Sequence, residues 1–325
     1  MGRHVAGECP QLDRLVDEAC ASIGSEVAAL KLSRLAGVVL GGGYGRGEGG
    51  AIECRLSNDL DFFAVTEPGA PESEAIAEIA SALEPVSKKW TAELGVDVDF
   101  AVKTPWRLKH DEERLMVQEL LRGYFDVAGR KGEELFAGIR GADAAELPWS
   151  EAVRLLMNRG IGLLLAKEKV AGGGAPTAGR ESDFINRNIN KCVLGAGDAR
   201  LIARGAYRWK AEDRAAALGD ALYSAAVDWK FRPKAEPVCD WETAREVWLA
   251  AENEVARSSR RSRGSSPSGR TLRNAVRWLV RRRTLGELST FGLMPELRVL
   301  RRVSAAIRDQ RGISPSLRRD WEVFN

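Results

Sequence analysis

Two pairs of aspartates carry the strongest chemical signal in this sequence. Asp59 and Asp61 flank Leu60 and lead into the apolar run Phe62-Phe63-Ala64-Val65, while Asp97 and Asp99 flank Val98 ahead of Phe100-Ala101-Val102. In an extended segment, side chains two apart share a face, so each pair presents its carboxylates on one side and apolar residues on the other. Neighbouring carboxylates repel each other, and a hard divalent cation with oxygen ligands removes that cost. Mg²⁺ is the natural guest. If the two strands lie side by side, Asp59, Asp61 and either Asp97 or Asp99 can surround two ions. That arrangement stabilises the entering and leaving oxygens of an in-line phosphoryl displacement.

A second element precedes the first acid pair. The apolar run Val38–Leu40 opens into the glycine-rich stretch 41–50, with glycines at Gly41, Gly42 and Gly43. Glycine tolerates positive φ and lets the backbone approach a ligand closely, and amides exposed by such a turn can cradle phosphate oxygens. Arg46 adds a guanidinium that matches phosphate bidentately, with a surface ion pair as the competing role. A Gly-Gly-Gly alone is usually an ordinary turn, and Asp-Leu-Asp alone is common on solvated strand edges. The ordered combination of both is much rarer by chance.

That order resembles the nucleotidyltransferase superfamily, which includes DNA polymerase β and the aminoglycoside nucleotidyltransferases. Within it, Gly42-Gly43-Tyr44-Gly45-Arg46-Gly47-Glu48, together with Leu94-Gly95-Val96-Asp97 ahead of Val102-Lys103-Thr104, is most similar to the nucleotidyltransferase domain of the PII uridylyltransferases. The resemblance implies phosphates at Gly42 and Gly43, metal at Asp59 and Asp61, and a third acid at Asp97, with Asp99 as second choice. It covers roughly 38–104, about a third of the chain. It departs from the family where fifteen residues, 44–58, separate the glycine pair from Asp59, several more than usual. The extra residues near 49–56 would form a longer loop at the mouth of the site. Nothing matches the other domains of the uridylyltransferases, so the signature speaks to reaction class and not to substrate.

Composition bounds the rest. The chain has 325 residues, 44% of them hydrophobic and 29% charged, which suits a globular protein of two ordinary domains. No apolar run approaches the roughly 20 residues that span a bilayer, and the first residues lack the apolar stretch of a secretory signal. No membrane partner is expected. Cys9, Cys20, Cys54, Cys192 and Cys239 form no C-x-x-C pair, which suggests neither a disulfide framework nor a zinc site and fits a reducing cytoplasm. With only His4 and His110, a serine–histidine triad or a histidine-ligated metal is disfavoured. Residues 257–325 hold 17 arginines against 5 acids, a basic end on an acidic body. Such an end suits an anionic partner or the body itself.

The expected architecture is α+β. A small mixed β-sheet nucleotidyltransferase domain with packed helices spans 1–145, and an all-α helical domain spans 146–325, with a flexible basic segment near 257–270. Helical periodicity covers 11–33, a helix from Ile76 stops before Pro85, a charged helix starts at His110, and 132–141 straps back onto the first domain. Farther on, Ser150 caps a helix running to about Val170, and helices follow over 183–204, 211–230, 241–256, 271–283 and 295–308. On the 183–204 helix, Arg187 or Asn188, Lys191 and Asp198 share a face. There Lys191 can balance triphosphate charge and Asp198 can position an acceptor hydroxyl, with an exposed charged face as the plainer alternative.

The function these readings imply is transfer of a nucleoside monophosphate, AMP from ATP in the first instance, to a hydroxyl of a small-molecule or protein acceptor, with release of pyrophosphate. The cofactor is two Mg²⁺ ions, for which Mn²⁺ can substitute. The alternatives are a nucleic-acid acceptor bound through the basic C-terminal segment, a signal-nucleotide-forming enzyme, and a catalytically idle nucleotide-binding module.

Overall fold

The computed structural model describes residues 2–7, 9–52, 54–173, 180–261 and 295–322. They fall into two compact units, one of Met1–Asp143 with Lys230–Lys234 and the other of Ala144–Trp229 with Ala235–Asn325. The fold is mixed and largely helical, with one small mixed sheet of four strands. Among the described residues, no helix is long and apolar enough to cross a membrane.

The first unit is built on that sheet, whose order is β5-β4-β1-β6. Strand β1 is Leu35–Leu40, β2 and β3 are the two-residue strands Ala51–Ile52 and Arg55–Leu56, β4 is Leu60–Thr66, β5 is Val98–Lys103 and β6 is Phe125–Gly129. Strand β1 pairs antiparallel with β4 and β6, whereas β4 and β5 run parallel. A parallel pair needs a crossover. Helix α3, Glu72–Leu94, supplies it.

Alternation along the central strands gives the sheet two apolar faces. Val38, Leu40, Leu60, Phe62, Ala64 and Val98 pack with Leu12, Val16, Ile23 and Val27 of helix α1, Pro10–Ala29, and with Ile79, Leu83, Val86 and Trp90 of α3. Val39, Phe63 and Val65 point the other way. They pack with Leu108, Val117, Leu120, Leu135 and Phe136 from the short segments that follow β5 and β6. Asp61, in phase with Phe63 and Val65, therefore belongs to the second face.

Several boundaries differ from the sequence-based expectations, each for a physical reason. Helix α3 runs through Pro85 instead of stopping before it. Pro85 cannot donate to the Ser81 carbonyl, but Leu83, Val86 and Trp90 on either side are buried, and their packing outweighs the lost bond. His110 ends the helix Pro105–His110, capped by the Thr104 hydroxyl, instead of opening one, and stacks on Trp106 at 4.8 Å. Strand β6 was not foreseen, because Phe125-Asp126-Val127-Ala128-Gly129 is too short to show a clear alternation.

In the second unit every described element is a helix. Helix α7, Trp149–Gly173, begins one residue before Ser150. Helix α8 is Arg180–Ala203. The stretch read as one helix over 211–230 is two, Ala211–Leu218 and Ala221–Phe231. Gly219 ends the first in the left-handed conformation at φ 65°, and the Asp220 carboxylate accepts the amides of Leu222 and Tyr223 at the start of the second. The helix from Trp241 continues to Arg261, past the expected end at Ala256. The rest of the basic segment, 262–270, and the helix expected over 271–283 lie outside the described residues. Trp241 and Trp248 anchor this unit by donating from Nε1 to the carbonyls of Leu163 and Leu156, both at 2.9 Å.

Replacing the exposed Pro85 with alanine restores a helical donor and removes the ring, at the expense of a stiffer unfolded chain. Pro85→Ala should stabilise the protein by about 1–3 kcal/mol in urea unfolding.

Candidate active site

The acids and the glycine turn meet at one corner of the sheet. Register places Asp61 of β4 directly beside Asp99 of β5, and Phe62 beside Phe100, whose rings stack at 5.1 Å. Asp59 and Asp97 stand just ahead of their strands, where the Leu60 amide donates to the Asp97 carbonyl at 2.8 Å. Asp99 is exposed, yet partial desolvation holds its carboxyl above the usual carboxylate range, and the charges of Asp59 and Asp97 add to the shift in that order. Asp99 thus feels both neighbours as like charges.

The glycine turn follows β1. Its first amide, Gly41, donates to the Asp61 carbonyl at 2.8 Å, which fixes the turn to the acid-bearing strand. Residues Gly42–Gly45 then form a single helical turn, α2. Gly42 sits at φ +61°, and a Cβ there would overlap the Asp61 carboxylate, so this position requires glycine on both counts. Gly43 is less confined, since a Cβ there would find its nearest neighbour, the Glu48 carbonyl oxygen, at 3.6 Å. As leading residues of a helical turn, Gly42 and Gly43 have no preceding carbonyl within it to receive their amides.

Tyr44 holds this turn from within. Its fully buried hydroxyl donates to the Gly50 carbonyl at 2.9 Å and accepts the amides of Ser57 and Asn58 at 3.2 and 3.4 Å. Burial pushes its phenol up in pKa. The long insertion therefore starts and ends on one side chain. Between those ends, within the longer loop expected, β2 and β3 pair as a small hairpin. From the other side, the N-terminal segment lies along the turn, with Ala6 donating to the Gly49 carbonyl and Gly49 to that of His4, both at 3.0 Å. His4 is itself buried, with ring nitrogens 3.3 Å from the Tyr44 carbonyl and 2.9 Å from Asp17 Oδ1.

Arg46 and Glu48 end the turn as an ion-pair network. Glu48 Oε2 lies 3.5 Å from Arg46 and 2.6 Å from Lys230 Nζ, and Arg46 also pairs with Glu119 at 3.5 Å. Neither Glu48 nor Lys230 carries a local sequence signal for this pairing. Lys230 lies so far along the chain that no local signal could have joined it to the glycine turn.

Lys191 and Asp198 lie on α8 in the second unit. Asp198 Oδ1 is 2.9 Å from Arg214 Nε and accepts the Tyr223 hydroxyl at 2.5 Å. Arg214 is buried and spends NH1 on the carbonyls of Arg208 and Trp209. The carboxylate thus neutralises a buried guanidinium, a structural task that leaves acceptor positioning without support from its contacts.

The donor chemistry of the acid corner suits Mg²⁺ or Mn²⁺, because the groups that crowd Asp99 are carboxylates and the shift they cause is the one a cation would reverse. Among the described residues, no three acidic, histidine or cysteine side chains already converge as a metal-holding group. Ionised carboxylates with no cation between them repel, so the fit rests on donor type and strand register.

Compared with known proteins, the chain matches no family model, and no curated protein matches it significantly in sequence.

Two outcomes test these assignments. A raised pKa means that the folded state disfavours ionised Asp99. Asp99→Asn should therefore melt higher than the parent at pH 7, with the gain shrinking to nothing as pH falls below the unfolded carboxylate value of about 4. Asp198→Ala should lower stability by about 3–5 kcal/mol, as expected when a buried guanidinium loses its counter-charge.

Proposed function

We propose that the first unit is a metal-dependent nucleotidyltransferase that moves a nucleoside monophosphate from a triphosphate, ATP in the first instance, to an acceptor hydroxyl, releasing pyrophosphate. The observation that carries this reading is the convergence of the Gly42–Gly43 turn with Asp61 and its lateral partner Asp99. Asp59, Asp61 and Asp99 would hold two Mg²⁺ ions, which when bound supply charge neutralisation at the entering and leaving oxygens. Asp99 is preferred to Asp97 as third acid because it is the one beside Asp61 in the register.

The chain's own groups divide the remaining work. The Gly42 and Gly43 amides would receive β- and γ-phosphate oxygens on a surface without side chains. Arg46 and Lys230, bridged by Glu48, would place two cationic donors beside that turn, their charge balanced by Glu48 and Glu119. Asp99 would take the proton of the acceptor hydroxyl as its oxygen attacks the α-phosphorus and pyrophosphate leaves. Lys191 is not needed for these steps.

The test is pyrophosphate release from each of the four ribonucleoside triphosphates with Mg²⁺ or Mn²⁺, with cell extract as the acceptor source. Release should fall at least about a hundredfold in Asp61→Asn and Asp99→Asn, since loss of even an outer partner of a metal ligand typically costs roughly 10- to 100-fold. Asp97→Asn should retain more activity than either. Gly43→Ala, whose methyl has room in the fold, should melt like the parent and bind nucleotide more weakly. Undiminished turnover in Asp61→Asn would refute the mechanism, and nucleotide binding without metal-dependent release from any triphosphate would favour the idle module.

A further inference from the structure

Two of the five cysteines that are scattered in sequence meet in the first unit. Cys9 and Cys54, 45 residues apart, bring their Sγ atoms to 3.0 Å. Neither is enclosed: Cys54 is exposed at the tip of the β2–β3 hairpin and Cys9 is partly exposed at the N-cap of α1. A disulfide bond is about 2.05 Å long, so the two sulfurs need to close by about 1 Å. Both sit where the backbone can give, Cys54 in a tight turn at φ 56° and Cys9 ahead of the first helical residue.

The two thiols are also unlike in chemistry. The hydrogen bond between them lowers the pKa of Cys9, and the amides of Leu12 and Gln11 at the start of α1 lower it further. The same hydrogen bond raises that of Cys54. A thiol with its pKa lowered at a helix start, with a partner thiol of raised pKa 3.0 Å away, is the arrangement of an attacking and a resolving cysteine.

We propose that Cys9 and Cys54 form a reversible disulfide by exchange with a low-molecular-weight disulfide, RSSR, and that this bond clamps the hairpin to the N-terminal segment. The Cys9 thiolate attacks one sulfur of RSSR, forming Cys9–S–S–R and expelling RS⁻. That thiolate takes the Cys54 proton, and the Cys54 sulfur attacks Cys9 Sγ and expels the second RS⁻, which is protonated by solvent. Two protein thiols are oxidised and one RSSR is reduced to two RSH.

The clamp would act where the glycine turn is held. The N-terminal segment exchanges backbone hydrogen bonds with Gly49, and the hairpin joins Gly50 to Ser57 and Asn58, the residues gathered by the Tyr44 hydroxyl. Joining the two segments fixes both strands of that insertion and removes freedom from the unfolded chain. This inference is independent of the proposed catalytic activity.

The experiment equilibrates the full chain in glutathione buffers from reducing to oxidising, alkylates the free thiols, and maps them by mass spectrometry alongside thermal melts. The expected result is joint loss of two alkylatable thiols, a peptide pair linking Cys9 to Cys54, and a melting point several degrees higher in the oxidised form. In Cys54→Ser the linked pair and the thermal shift should vanish, and a glutathione adduct should accumulate on Cys9. In Cys9→Ser the adduct on Cys54 should form several-fold more slowly. Full alkylation of Cys9 and Cys54 at the oxidising end, or their linkage to other cysteines instead, would overturn the proposal.

Discussion

The register between β4 and β5 is the constraint on which the candidate site depends. Parallel pairing sets Asp61 beside Asp99, at the spacing of about 4.8 Å that separates neighbouring strands. A slip of one residue would turn one carboxylate of that pair into the apolar layer beneath α1 and α3 and break the site. What prevents the slip is the core. Phe62 stacks on Phe100, Leu60 and Val98 are both fully buried, and α3 spans the crossover with its own buried stripe. The apolar residues between the acids thus do as much for the chemistry as the acids themselves, because burial makes the alternation unambiguous.

The glycine turn depends on the same strand through different contacts. Gly41 is tied to the Asp61 carbonyl and Gly42 lies against the Asp61 carboxylate, so the glycine-turn backbone and the acid are positioned by one residue. Tyr44 then fixes the far end. Its one hydroxyl serves three backbone groups, and removing it would leave two amides and a carbonyl in the interior without their partner. This explains how an insertion of unusual length can sit between Gly43 and Asp59 without displacing either. The added residues leave and return at the same point, and their excess length is taken up by the β2–β3 hairpin.

The parts legible in the sequence were those carried by local periodicity or by a strong spacing signal. The apolar run Val38–Leu40, the alternation around Asp61 and Asp99, and the amphipathic helix over Pro10–Ala29 each advertise themselves within a dozen residues. What could not be read depended on distance along the chain or on packing overriding a local rule. Pro85 is a reliable stop signal taken alone, but a helix with buried residues on both sides of it continues. Glu48 acquires its role only when Lys230 arrives from nearly two hundred residues away, and Cys9 meets Cys54 only because a segment and a hairpin happen to flank one turn. Asp198 shows the converse limit of a spacing signal. Its helical spacing to Lys191 was real, but spacing gives a face and not a partner, and Arg214 and Tyr223 are among its partners.

The site also sets local preferences against the global fold, which is where function is usually found. Gly42 holds a conformation that most residues resist, and Asp99, though exposed, is crowded by like charges. Neither feature helps the chain to fold. Both persist because the surrounding contacts determine them: the Gly41–Asp61 bond and the Tyr44 hydroxyl for the turn, the strand register for the acid. A sheet corner kept only for stability would sooner place a neutral or oppositely charged residue beside Asp59 and Asp97. Retaining a carboxylate there is intelligible if a cation or a transferred proton compensates its charge during the working cycle, which is the link between the energetics of the fold and the chemistry proposed for it.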